Sequence, residues 1–420
     1  MLIFKAHNAW ESRGWDYFFV VFSSCFSPQN ISMYYTLRRF LMMKRYLLAP
    51  GPTPVPPEAL LAMAMPMIHH RAPDFIPVLD SAKKGLQWLY QTNSDVLIIC
   101  STGTGGMVGS VNNFFSPGDK ALVINAGNFG ERWTKICKAY NLSVEEITID
   151  WGCTVKPADI ESALRKDPSI KGVFVQASET STGVYHDIQA IASVVKNFDN
   201  TILVVDAISA LVAHDLKMDD WGIDVLIGGS QKGLMLPPGL AFIGVSEKAW
   251  KFAETSKSPK FYFNFKAERK KLKDNQTNFT SPVSLIIGLN ECLRLLQAEG
   301  LDNAFRRHAR LAHATREAIK AIGLEMYSKE SPSNAVTAVE APAGFDGQEI
   351  YKNLRVKYGI TAAGGQGQAK GKIFRIAHLG YAGTFDTITA IAGVEMVLKG
   401  MRYPLTLGTG VARAQELLMV

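Results

Sequence analysis

The chain has 420 residues, 47% hydrophobic and 20% charged. That length exceeds the roughly 250–300 residues at which one core usually divides, so two domains are expected, and the composition is not that of a disordered chain. Of the formal charge of +7, residues 1–45 supply six basic side chains against Glu11 and Asp16, which leaves the rest close to neutral and removes the electrostatic case for nucleic acid. Cys25, Cys100, Cys137, Cys153 and Cys292 are odd in number and widely spaced, with no C-x-x-C pair and no histidines clustered at ligand spacing. This argues against a disulfide frame and a structural metal, and for a reducing, cytoplasmic setting.

The first apolar run, YFFVVFSSCF at 17–26, is shorter than the roughly 18–20 residues that cross a bilayer, and no small-x-small cleavage site follows it. Residues 1–43 are therefore read as an N-terminal extension outside the core, and no membrane partner is expected. From Tyr46 onward short β-rich runs alternate with helical patterns. The strand candidates are 95–100, 120–125, 143–149, 171–176, 201–206, 224–229 and 240–246, with helical spacing at 128–140, 157–166 and 186–197. Such alternation predicts a mostly parallel seven-stranded sheet between helices, a large domain over 44–300. The basic run KAERKKLK at 266–273 has no aromatic platform beside it and reads as a solvated face. After a long helical region at 281–323 come further short strands, with helices at 346–357 and 386–399. These predict a smaller α/β domain over 301–400, followed by a C-terminal tail at 401–420.

Three stretches carry chemistry. STGTGGMVGSVNNFF (101–115) follows a strand directly; a glycine-rich turn opening a helix offers bare N–H groups and a positive dipole end to an anion, or serves only tight packing of helix on strand. It matches neither the dinucleotide fingerprint nor the P-loop. In ILVVDAISAL (202–211), Asp206 closes a buried strand on the edge where open α/β sheets bind ligands, though such a residue can also serve as a turn or cap. In DVLIGGSQKGLMLPPGLAF (224–242), Lys232 follows the next strand amid small residues; a dry site favours its neutral, nucleophilic amine, whereas an exposed lysine would do nothing. Taken together, a phosphate cup, an acid for a ring nitrogen and an amine for an aldehyde are the parts required by pyridoxal phosphate.

The chain resembles class V (fold-type I) aminotransferases, in particular the alanine–glyoxylate, serine–pyruvate and serine–glyoxylate group, which includes bacterial proteins labelled soluble hydrogenase subunits. The likeness spans about residues 44–400, through LLAPGPTPVPPEAL, HHRAPDF, STGTGGM, NAGNFGERW, ASETSTGV, VVDAISAL, GGSQKGLMLPPGL and KIFRIAHLG. It implies a pyridoxal-phosphate transaminase working by a ping-pong cycle on small amino acids and 2-oxo acids, with Lys232 forming the Schiff base and Asp206 pairing with the ring nitrogen. It further implies that Thr104, Gly105, Gly106 and Gln231 hold the phosphate, joined by Thr280 of a neighbouring subunit in a homodimer whose active sites lie at the interface. By the same resemblance, Phe129 stacks on the ring, Thr180 bonds near its hydroxyl, Arg375 clamps the substrate carboxylate and small Ala49 faces the substrate side chain. The plainer readings are a core aromatic for Phe129 and a structural ion pair for Arg375. One departure is Thr277, which stands where animal members carry a tyrosine.

Within the fold the alternatives are ureidoglycine or aminoethylphosphonate aminotransfer, and cysteine desulfuration, which would need a reactive cysteine beyond Cys292. Outside it, the alternative is a non-catalytic subunit of a redox complex.

Overall fold

Short apolar runs become strands here because both faces of the sheet they form are covered by helices. The computed structural model describes residues 43–419, so the expected extension, with its 17–26 run and Cys25, lies outside the described residues. The seven strands are β1 (Asp95–Ser101), β2 (Lys120–Asn125), β3 (Ser143–Thr148), β4 (Ile170–Gln176), β5 (Ile202–Asp206), β6 (Val225–Gly229) and β7 (Gly239–Val245). Their order is β1-β7-β6-β5-β4-β2-β3, parallel throughout except that β7 runs antiparallel to both neighbours. Every residue of β5 and β6 is buried, whereas β3, at the edge, exposes Ser143, Glu145 and Thr148. Polar and charged residues on an edge strand discourage further pairing.

This order brings the C-terminal ends of β1, β4, β5 and β6 to one edge of the sheet, the edge at which such sheets take ligands. Helix α1 (Gly103–Phe114) begins two residues after β1. Its glycines let it sit on the sheet, for a Cβ at Gly106 would stand 2.9 Å from Ile227 Cγ2. Helix α2 (Asn128–Ala139) buries Gly130, Trp133, Thr134, Ile136 and Cys137, a one-sided stripe that leaves its charged face outward.

The long helical region divides at Gly300, whose φ of +82° is left-handed, into α3 (Val283–Glu299) and α4 (Leu301–Ala321). Beyond it lie β8 (Val336–Glu340), α5 (Gly347–Tyr358), β9 (Ala363–Gly364), β10 (Ile373–Ala377), α6 (Thr384–Gly400) and α7 (Thr409–Leu418). Strand β10 lies between β8 and β9, antiparallel to each. The buried side chains form two principal clusters. One surrounds the large sheet from Ala59 to Ala304; the other gathers Leu311, Ala318, Phe374, Val394 and Leu418, together with Leu48 from the start of the body. Leu48 belongs there because Tyr46–Leu47 pairs in parallel with Ile360–Thr361.

Candidate active site

Lys232 lies three residues past the end of β6, in a turn tied on every side. The Ser230 hydroxyl donates to Pro237 O at 2.8 Å, and the Leu236 N–H donates to Ser230 O at 3.0 Å. The Met235 N–H reaches Lys232 O at 3.0 Å, with Met235 held at a left-handed φ of +58°. From the start of the body, the Thr53 hydroxyl donates to Lys232 O at 2.8 Å and its N–H to Gln231 O at 3.1 Å. The lysine stem passes over Gly51, where a Cβ would stand 2.6 Å from Cε, and Nζ donates to the Pro50 carbonyl. A side chain at position 51 would displace the amine.

Asp206, the last residue of β5, is 5% exposed, and its Oδ1 accepts the Ile208 N–H at 2.9 Å. Asp206 and Lys232 line a single cleft, about 490 Å³ including its open mouth, together with Gly103, Thr104, Phe129, Arg132, Thr180 and Gln231. Burial lowers the Lys232 pKa to about 8; the Asp206 charge resists this, while the cations of Arg375 and Arg132 add to it. Burial raises Asp206 to about 6, against the Ile208 N–H and the charges of Arg132 and Lys232. The amine is therefore partly neutral near neutral pH while the acid stays ionised.

At the α1 end of the cleft, the N–H groups of Gly105 and Gly106 turn back to Thr102 O at 2.8 and 3.4 Å, so Gly103 and Thr104 lead the helix. Arg132 Nη1 donates to Thr104 Oγ1 at 3.0 Å, and its guanidinium lies 4.7 Å from the Phe129 ring centroid. Among the described residues no carboxylate lies within ion-pair distance of Arg132. No motif in the sequence marks this arginine, although its place three residues after Phe129 puts both on one helix face. Gln231 Oε1 is buried without a partner, a polar end that a polar guest would satisfy.

Arg375, in β10, is 4% exposed. Its Nε and Nη2 donate to Gly364 O at 3.0 and 2.7 Å, and its Nη1 to Thr180 O at 2.7 Å. Carbonyls, not an acid, hold the guanidinium, and three of its five N–H donors are engaged. Burial lowers its pKa to about 10, opposed by the charge of Glu179. Ala49 does not line the cleft; it precedes Pro50, whose carbonyl accepts the hydrogen bond from Lys232 Nζ. Thr280 lies apart, in a separate depression with Thr277, Tyr262, Phe279 and Cys100.

Comparison with known proteins decides the family. The family model described as "Aminotransferase class-V" matches residues 45–383. The chain belongs to the class-V aminotransferases. A relative from Synechococcus named "Soluble hydrogenase, small subunit" is 43% identical, covering 89% of this chain and 98% of the relative. The L-aspartate–glyoxylate aminotransferase of Paracoccus denitrificans is 39% identical, covering 87% and 94%. Among solved structures, the alanine–glyoxylate aminotransferase of Nostoc superposes with a TM-score of 0.81 at 28% identity, covering 84% of this chain and 95% of that one.

Class-V aminotransferases depend on pyridoxal phosphate, and the cleft fits that coenzyme. A lysine with lowered pKa, an ionised acid, a helix N-terminus with a hydroxyl and an unpaired arginine, and an orphaned amide oxygen share one wall system. Among the described residues no helix is long and apolar enough to cross a membrane.

Proposed function

We propose that this transaminase moves the amino group of a small amino acid, alanine or serine, to glyoxylate or pyruvate. The reading is supported chiefly by Asp206 and Lys232, from neighbouring strand ends, lining the same cleft. The glyoxylate acceptor named for the Paracoccus and Nostoc proteins supports it as well. Bound pyridoxal phosphate would supply an aldehyde and an electron-withdrawing ring that makes the amino-acid Cα–H acidic.

The protein's own groups then have distinct tasks. The Lys232 amine would bond the aldehyde, give it up to the incoming amino acid, and afterwards carry the proton from the substrate Cα to the carbon that receives it. Asp206 would hold the proton on the ring nitrogen. Thr104, at the helix start shaped by the turn through Gly105 and Gly106, would seat the phosphate with Gln231, assisted by Arg132, and Phe129 would cover one face of the ring. Thr180 would bond near the ring hydroxyl. Arg375 would orient the α-carboxylate of donor and acceptor alike, using its remaining N–H groups in a geometry that lysine cannot copy.

The working form is proposed as a cytoplasmic homodimer in which Thr280 of one subunit reaches the phosphate site of the other. The 83% exposure of Phe261 and the half exposure of Tyr262, near Thr280, support that face as the contact.

The test is spectroscopic. Protein loaded with pyridoxal phosphate should absorb in the near-visible, alanine or serine should bleach the band, and glyoxylate should restore it with release of glycine. Lys232→Ala should lack the band. A wild-type spectrum without it would return the chain to the redox-subunit reading, and bleaching by aspartate alone would replace the donor class.

A further inference from the structure

One buried acid holds the start of α2 behind Phe129, and its charge acts on Arg375. Glu179, fully buried, lies in the ASETSTG turn just after β4. Its Oε2 accepts the N–H groups of Phe129 and Gly130, each at 3.1 Å. Its Oε1 accepts the Ser181 N–H at 3.1 Å and the Ser181 hydroxyl, and that hydroxyl oxygen accepts the Asn128 N–H at 3.0 Å. The N–H groups of 128–130 open α2 and have no carbonyl within the helix to bond. The carboxylate thus sits at the positive end of the helix dipole. Gly127 makes the approach possible, since a Cβ there would stand 2.6 Å from both Glu179 Cγ and Ser181 Oγ.

The other side of the same turn holds the clamp. The Thr180 carbonyl, between these two residues, accepts Arg375 Nη1 at 2.7 Å. Residues 179–181 therefore grip the backbone of Phe129 through side chains and the guanidinium of Arg375 through a carbonyl. A cap alone does not require a buried anion, because serine, threonine or asparagine caps a helix at far lower desolvation cost. Four donors on one carboxylate, from residues 129, 130 and 181, tie together the two segments they come from.

We propose that Glu179 is a positioning residue that sets the distance between the ring-covering face of Phe129 and the carboxylate-binding fork of Arg375. The inference rests on reading the cleft as the coenzyme site. It assigns Glu179 no contact with substrate; the acid acts through Phe129 and Arg375. A small misplacement of either group would loosen the reacting geometry.

The test compares wild type, Glu179→Gln and Ser181→Ala as full-length proteins loaded with pyridoxal phosphate. The readouts are the circular dichroism of the bound coenzyme in the near-visible, its affinity, and KM against kcat for alanine with glyoxylate. The amide of Glu179→Gln turns an acceptor into a donor facing N–H groups. It should weaken the coenzyme dichroism and raise KM about tenfold, the equivalent of one charge-assisted hydrogen bond, with a smaller fall in kcat. Ser181→Ala should change both in the same direction by less, with far-ultraviolet dichroism and melting temperature unchanged; it decides the matter if Glu179→Gln fails to fold. Wild-type dichroism and KM in the variants would overturn the proposal, as would losses in Ser181→Ala that only track unfolding. If wild-type protein binds no coenzyme, or Lys232→Ala gives the wild-type spectrum, the coenzyme reading fails instead.

Discussion

The chemistry of Lys232 depends on how much of it is neutral. Burial brings its pKa to about 8, and among its charged neighbours Asp206 is the one that raises it, Arg375 and Arg132 those that lower it. Because the neutral amine attacks the aldehyde, coenzyme uptake by the apoprotein should accelerate as pH rises through about 8 and level off above it. Asp206, at about 6, is ionised throughout that range, so Asp206→Asn removes a charge that favours the ammonium. Its midpoint should fall below that of wild type. Following the near-visible band after mixing apoprotein with pyridoxal phosphate, from about pH 6 to 10, measures both midpoints. A wild-type midpoint near 10.5, the ordinary lysine value, or an upward move in Asp206→Asn, would show that the cleft does not tune the amine as described.

At the scale of elements, the seven sheet strands were legible almost to the residue, the central ones because strands buried on both faces read as unbroken apolar runs and the edge strand β3 by its β-branched residues between turn signals. Asp206 and Lys232 were legible for the same reason, as polar residues following such runs. The reversed direction of β7 left no local trace, because PPG after Lys232 signals a turn and not which way the chain leaves it. Arg132 and Glu179 were missed because their partners, Thr104 and the 128–130 backbone, are brought to them only by the folded sheet. The same holds for α7, whose N-terminus is capped from α6: buried Glu395 accepts the N–H groups of Gly408 and Gly410, each at 2.6 Å, and of Val411 at 3.3 Å. Glu395→Gln keeps the size and loses the charge, so it should cost about 2 kcal/mol of stability while coenzyme affinity stays at the wild-type value. Urea unfolding checks this; a loss below about 0.5 kcal/mol would mean that packing of Ala414 and Leu418 alone holds the helix.

Across the whole molecule, three histidines, His308 and His378 buried and His214 half-buried, join distant segments in their neutral form. His214 Nε2 accepts the Asn334 N–H at 3.0 Å and His308 Nε2 accepts the Gly380 N–H at 3.0 Å, while His378 meets Asn334 O at 2.6 Å through Nδ1 and Thr337 Oγ1 at 3.0 Å through Nε2. Protonating His214 or His308 would set N–H against N–H, and burial accordingly depresses all three pKa values to about 3. In the unfolded chain each titrates near 6.5, so between about 6.5 and 3 the unfolded state binds more protons and stability is lost as the pH is lowered. Glu268, raised by burial to about 7, acts in the opposite direction, because the folded state then takes the proton first. Comparing one substitution at two pH values cancels that contribution. Glutamine at 308 can still donate and accept but does not titrate, so His308→Gln should be less stable than wild type at pH 7, and the gap should narrow by about 2 kcal/mol at pH 5. Urea midpoints of both proteins at the two pH values measure the gap. A gap that stays constant would mean that His308 is protonated in the folded protein at pH 5, which its bond from the Gly380 N–H forbids.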